Sequence, residues 1–235
     1  MVYPAQRLHI APLHSTPPHP HTAKEIDFAT HDPEEIYKLL TGIVVPRPIA
    51  WITTLSTTGV VNLAPFSCYT IVSTMPPLLG VNMGRKAGVR KDTARNAIDT
   101  GEFVVNIGNE DMIDPIHQSA VEHPPEVSEV ALLNLAVLPC IQVKVPRLAD
   151  VPLSLECRLH QVVPFGDTGA EFVVGEVLRV HAREGLLQNN RIDAAMLRPV
   201  CRLGGPNYAT LGRIVVQPAV AQVAKSVLEG TPERP

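Results

Sequence analysis

The sequence predicts a mainly β domain with short helices, laid out as an antiparallel barrel or sandwich. Three observations lead there. From Ile43 onward, short β-rich runs alternate with turn residues. The chain has 235 residues, 45% of them apolar, enough to bury one core without metal or disulfide staples. Its longest apolar stretches, such as Pro48 to Ile52 and Pro77 to Val81, fall far short of the ~20 residues of a bilayer span and read as buried strands.

The elements follow in order. Residues 1–35 read as a proline- and histidine-rich arm without periodicity. Its histidines (His9, His14, His19, His21, His31) lack the helical or hairpin spacing of a metal site. Asp32 as N-cap and Pro33 as first helical residue start a helix over Glu34 to Leu40, which Gly42 is expected to end. Ala50 to Leu55 and Val60 to Ala64 flank Thr57, Thr58 and Gly59 and read as a hairpin. Thr70 to Ser73 and Leu78 to Met83 are strands joined through Pro76 and Pro77, which lack the N–H a ladder needs. Phe103 to Ile107 is a further strand. Leu153 to Val163 and Phe172 to His181 surround the turn Gly166 to Gly169 as a long second hairpin. Helices are expected over Thr93 to Ile98 and Asp111 to Val121, and a short one beyond Pro218 through Val227. The domain thus spans residues 36–218, with a tail over 219–235.

Composition excludes several classes. The amino terminus lacks the charged segment, apolar run and cleavage site of a secretory signal, so a cytoplasmic location is expected. A net charge of −3 offers no global attraction to nucleic acid or anionic lipid, and neither is expected as a partner. Cys68, Cys140, Cys157 and Cys201 are scattered without a CxxC pair, which argues for free, mostly buried thiols and against a zinc ribbon. No residue is assigned to metal.

The segment Gly84 to Thr93 places Arg85, Lys86, Arg90, Lys91 and two glycines immediately before a helix. Helix amino termini carry open N–H groups and partial positive charge, so this is a candidate phosphate seat; a solvated loop with Asp92 or Thr93 as ordinary cap uses the same groups. Neither GxGxxG nor GxxxxGK[ST] occurs, which argues against a Rossmann or kinase-type nucleotide site. A second cluster, Asn62 to Tyr69, ends a strand at Pro65 with amide, hydroxyl and small groups that suit either a flat ring or a plain turn.

These blocks closely resemble the flavin reductase-like, FMN-binding split-barrel family, typified also by flavoredoxin. The resemblance runs from about Ile36 to Val216. It rests on Arg47-Pro48-Ile49-Ala50-Trp51-Ile52-Thr53-Thr54, on Asn62-Leu63-Ala64-Pro65-Phe66-Ser67, and on Arg90-Lys91-Asp92-Thr93 with Asn96. Gly101 to Asn106, and Arg202-Leu203-Gly204-Gly205 with Tyr208, complete it. It implies a split β-barrel, a homodimer and an FMN cofactor. By the resemblance, Arg47, Trp51, Thr53 and Thr54, with Asn62, Ala64, Pro65, Phe66 and Ser67, line the ring and ribityl chain. Arg85, Lys91 and Thr93, beside Asp92, hold the phosphate; Asn106 supports the floor; Arg202, Gly204 and Tyr208 complete the site near the dimer interface. Cys68 and Tyr69 stand where aromatic residues are common in the family.

The implied activity is hydride transfer from NADH or NADPH to FMN and on to an acceptor. No acid–base pair is required, and His117, His123, His160 and His181 have no recognisable serine or cysteine partner. Arg202 or a barrel amide is the candidate to stabilise the reduced, anionic ring. An alternative is an FMN-bearing electron-transfer module that serves a protein partner. Haem binding is disfavoured because the matched blocks offer no axial ligand.

Overall fold

The helix expected after Asp32 forms because the Asp32 carboxylate accepts the N–H groups of Glu34 (2.8 Å) and Glu35 (2.9 Å), while Glu35 accepts the Asp32 N–H (3.1 Å). The computed structural model, which describes residues 24–220, extends this helix, α1, over Pro33–Ile43. Gly42 therefore sits inside the helix rather than after it. There it admits a close neighbour: a Cβ on Gly204 would lie 3.4 Å from the Gly42 Cα. The tail helix expected through Val227 and most of the arm lie outside the described residues.

Strands β1 (Arg47–Pro48), β2 (Ala50–Leu55), β3 (Val61–Phe66), β4 (Tyr69–Thr74) and β5 (Pro77–Met83) follow. A short hairpin, β6 (Arg85–Lys86) and β7 (Val89–Arg90), leads into helix α2 (Asp92–Thr100), which Gly101 ends at φ 74°. Next come β8 (Glu102–Ile107), a 3₁₀ turn, α3 (Ile113–Gln118), α4 (Glu129–Leu132), β9 (Val137–Leu138) and β10 (Arg147–Leu148). The long hairpin is β11 (Leu153–Phe165) with β12 (Ala170–Ala182). Short pieces close the chain: β13 (Leu187–Gln188), β14 (Arg191–Ile192), α5 (Ala194–Leu197), β15 (Cys201–Arg202) and β16 (Tyr208–Ala209).

Seven strands form one antiparallel sheet in the order β3-β2-β8-β11-β12-β5-β4. The two edge strands, β3 and β4, are consecutive in the chain yet lie at opposite ends of that order. The sheet is rolled, since Phe66 of β3 and Met83 of β5 share one core cluster with Ile52, Phe103, Cys157 and Val173. The result is a barrel open along the β3–β4 seam, the split barrel that the resemblance implies. β3 runs two residues further than expected because an edge strand tolerates Pro65, which pairs with Trp51. Pro77 likewise enters β5 as its first residue.

The sheet is buried on both faces along β2. Ala50 and Ile52 point into the barrel, where Ala94 and Ala97 of α2 plug one end. Trp51 points outward into a second cluster with Leu63, Ile116, Val130, Leu148 and Val200, covered by α3 and α4. Fully burying side chains such as Phe103 and Trp51 contributes about 1.5–3 kcal/mol each. The helix expected over Asp111 to Val121 is shorter, because it opens as a 3₁₀ turn and Ser119 donates its hydroxyl to the Ile116 carbonyl (3.0 Å) at the far end. Among the described residues no helix is long and apolar enough to cross a membrane.

Glu171 at the start of β12 ties down the β6–β7 hairpin. Its carboxylate accepts two bonds from Arg90 (2.8 and 2.6 Å) and approaches Arg85 at 3.5 Å. The Arg90 hydrogen bonds hold the Glu171 carboxyl below its usual range, against the effect of burial. A carboxyl depressed by folding contributes stability that is full above the ordinary pKa of about 4.3 and is lost as pH falls through the folded value. Replacing Glu171 with Gln should therefore lower the urea midpoint at pH 7 and flatten its fall as pH drops below the ordinary carboxylate value of about 4.3; an unchanged acid profile would refute the assignment. Gly175 of β12 tests the packing of the barrel interior. A Cβ there would lie 2.3 Å from the buried Phe103 ring, so Gly175→Ala should cost about 1–3 kcal/mol by urea denaturation.

Candidate functional site

Two adjoining cavities lie along β3, the edge strand on one side of the seam. The larger, about 590 Å³, lies between β3, the β6–β7 hairpin, the start of α2 and the segment Ser119 to His123. It is within the roughly 300–1,000 Å³ of small-molecule sites. Of the residues expected to bind cofactor, Asn62, Ala64, Pro65, Phe66, Lys91, Asp92 and Thr93 line it. The buried Asn62 amide donates to the Thr93 hydroxyl (2.9 Å), which leaves the Thr93 proton free to donate in turn. Helix α2 begins at this cavity with no side-chain cap on its first-turn N–H groups.

The basic cluster divides by partner. Glu171 engages Arg90 and Arg85, Lys86 pairs with Glu122 (2.8 Å), and Arg95 pairs with Asp92 (2.6 Å). Lys91 has no carboxylate partner among the described residues; its ammonium stands 5.7 Å above the Phe66 ring. Arg85 departs from the expected phosphate seat. Its Nε donates to the Gly169 carbonyl (3.0 Å) and Nη1 to that of Gly88 (3.3 Å), and it does not line the cavity.

The smaller cavity, about 280 Å³, shares Pro65, Phe66 and Ala120 with the larger and adds Arg47, Ser67, Arg202 and Tyr208. Arg47 is buried. Its Nε donates to Ser67 Oγ (3.1 Å), Nη1 to the carbonyls of Thr41 and Val44 (2.9 Å for the latter), and Nη2 to that of Leu203 (2.9 Å). It clasps the end of α1 and the Leu203 loop to the barrel. Arg202 stacks on Tyr208, 4.5 Å from the ring centroid, and donates to the Tyr208 hydroxyl and the Gly205 carbonyl. Burial pushes the Tyr208 phenol up, opposed by Arg202. Gly204 lies in the turn against Gly42.

Four residues expected at the cofactor stand behind the cavities instead. Trp51, Thr53, Thr54 and Asn106 are fully or almost fully buried and line neither cavity. Trp51 donates to Ser119 Oγ (2.8 Å), so it positions a cavity residue rather than forming the wall. Asn106 donates to the Trp51 carbonyl (3.0 Å) and to Thr53 (3.2 Å), and accepts from Leu148 N–H and Ser154. Thr54 accepts from Asn96 (3.2 Å), tying β2 to α2. These groups satisfy one another because the sheet is covered on both faces.

Sequence reasoning missed Ser119 to His123 and Glu129. Glu129 accepts the Leu63 N–H (2.9 Å) and Ser128 donates to the Val61 carbonyl (2.6 Å), so this short segment seals the outer edge of β3. Burial raises the Glu129 carboxyl's pKa. Only the Ser128-Glu129 pair, an N-cap followed by an acidic first turn, signals it locally. The cysteines are free, yet only Cys157 is buried, its thiol pushed up to about 12 by burial; Cys68 is exposed at the bend between β3 and β4. Cys140, Glu156 and His181 cluster within 4.8 Å, but the Glu156 oxygens accept from Ile141, Gln142, Val143 and His181, which makes Glu156 a loop anchor.

Comparison with known proteins agrees with the fold. The chain is 44% identical over 184 residues to protein BH2278 of Halalkalibacterium halodurans, covering 76% of this chain and 88% of the relative. The crystal structure of nitrilotriacetate monooxygenase component B from Bacillus cereus superposes with a TM-score of 0.80 at 39% identity, covering 83% of this chain and 98% of the other. That of the 2-nitrobenzoate 2-nitroreductase NbaA from Pseudomonas fluorescens does so with 0.75 at 29% identity, covering 86% and 100%. Residues 42–197 match the flavin reductase like domain, and the chain belongs to that family.

Proposed function

We propose that the chain is an FMN-dependent oxidoreductase that draws a hydride from NADH or NADPH and works as a cytoplasmic homodimer. The observation that carries this reading is the larger cavity: an uncapped helix terminus, a lysine without a carboxylate partner and an oriented hydroxyl meet the ring of Phe66. That donor set fits a phosphate monoester at one end, because open N–H groups, an ammonium and a hydroxyl all favour a dianion. Two similar structures carry redox names, a monooxygenase component and a nitroreductase, and support the class.

Capacity for hydride and electron transfer is what the cofactor supplies when bound. The chain's residues bind and orient. Lys91, Thr93 and the first turn of α2 hold the phosphate. Val61 and Leu63, alternate residues of edge strand β3, have backbone groups taken by Ser128 and Glu129. With a period of two, Pro65 is the next outward position, and it offers a carbonyl acceptor where the two cavities meet. Phe66, Val89, Val121 and Pro125 give the larger cavity its apolar wall. The dimer reading draws on exposed apolar groups at one protomer's surface: Tyr37 (66%) and Ile43 (62%) on α1, and Ile71 (71%) and Met75 (91%) at β4.

The test is the absorbance spectrum of the purified protein, followed by anaerobic NADH or NADPH. An oxidised-flavin band near about 450 nm, bleached by a nicotinamide, is expected. Lys91→Met and Thr93→Val should each weaken FMN binding roughly 10-fold or more, the scale of one charge-assisted hydrogen bond. A protein that neither carries nor takes up FMN would overturn the reading, and a yellow protein inert to both nucleotides would shift it to electron transfer with a protein partner.

A further inference from the structure

The smaller cavity holds two guanidinium groups and no acid. Arg47 directs four of its five N–H groups to neutral oxygens, three carbonyls and a hydroxyl, from a nearly fully buried position. Arg202 beside it donates only to the Tyr208 hydroxyl and the Gly205 carbonyl. Neither forms an ion pair among the described residues, and none of the residues lining the cavity is Asp or Glu. Carbonyl dipoles satisfy the hydrogen bonds of a buried cation without neutralising its charge, so Arg47, 6% exposed, retains a positive field at the pocket wall. Arg202 keeps its Nη2 group without a protein partner among the described residues.

The rest of the lining mixes aromatic and aliphatic side chains with the hydroxyls of Thr41 and Ser67. Tyr37, Ile49, Phe66 and Tyr208 surround the guanidinium pair in a volume of about 280 Å³. That suits one ring rather than a dinucleotide. We infer that this cavity is a binding site for a small planar organic carboxylate, whose ring lies among the aromatic side chains and whose carboxylate pairs with the Arg202 guanidinium over the field of Arg47. The fork geometry of arginine matches a carboxylate, which sets this class apart from neutral rings of equal size. As a statement about which molecule reaches the cofactor, the inference rests on the reading of the larger cavity as the FMN site, since the two cavities share Pro65 and Phe66.

Benzoate and benzamide, alike in shape and different in charge, are the probes. Each is titrated calorimetrically into the purified protein after FMN loading, with FMN content read independently from the absorbance. Benzoate should bind at least 10-fold more tightly than benzamide. Arg202→Met should erase that preference and Arg202→Lys should retain part of it. Equal affinities in the unmutated protein, a comparison that needs no variant to fold, would overturn the inference, as would a preference that survives in Arg202→Met. Protein that carries FMN but shows no benzoate preference removes this site and leaves the FMN reading standing. Protein that takes up no FMN yet prefers benzoate through Arg202 supports the anion pocket and removes the FMN reading.

Discussion

An open seam governs this molecule. A rolled antiparallel sheet that stops short of closure leaves the outward N–H and C=O groups of its edge strands without ladder partners, and each such group needs a substitute or water. Along β3 the chain meets that need from its own loops at Val61 and Leu63, through Ser128 and Glu129. At Pro65 it does not. Proline removes one donor that would otherwise need satisfying, and the two cavities meet at that point.

The electrostatics follow from what is packed along β3. One rim is built by the β6–β7 hairpin and the start of α2, rich in cations that Glu171, Glu122 and Asp92 largely neutralise. What survives is Lys91 and the helix terminus. The other rim is built by Arg47 and Arg202, held by carbonyls and by Tyr208 rather than by acids. Positive field therefore lies on both sides of Phe66. A buried arginine is costly unless its donors are satisfied, and Arg47 meets that cost by clasping α1 and the Leu203 loop to the barrel, so its contribution to stability and its field in the cavity have one origin.

Much of the architecture was legible in the chain. The capping residues of α1, the hairpin around Gly59 and the long β11–β12 hairpin depend on neighbours in sequence, and local turn and cap chemistry marks them. Two of the motif blocks also come together in space, since residues of Asn62 to Phe66 and of Lys91 to Thr93 line one cavity. Periodicity alone left barrel and sandwich open, because both bury alternating strands; family resemblance distinguished them.

Tertiary structure decided which of those motif residues face the cavity. Trp51, Thr53, Thr54 and Asn106 sit in the same blocks as cavity residues, yet β2 is covered on both faces and its polar groups bond to Ser119, Pro146, Asn96 and one another. Which face of a doubly buried strand looks toward a ligand depends on the layers packed over it, and those come from distant segments. The same holds for Arg85, claimed by Gly169 in the turn of the neighbouring β11–β12 hairpin, and for Glu129, which reaches Leu63 from far along the chain. By itself the sequence determined the strands, the caps and the chemical groups available, since these rest on local backbone preference and composition. Long-range packing alone decided which groups neutralise one another and which keep their charge, because a side chain's partner is set by proximity in space.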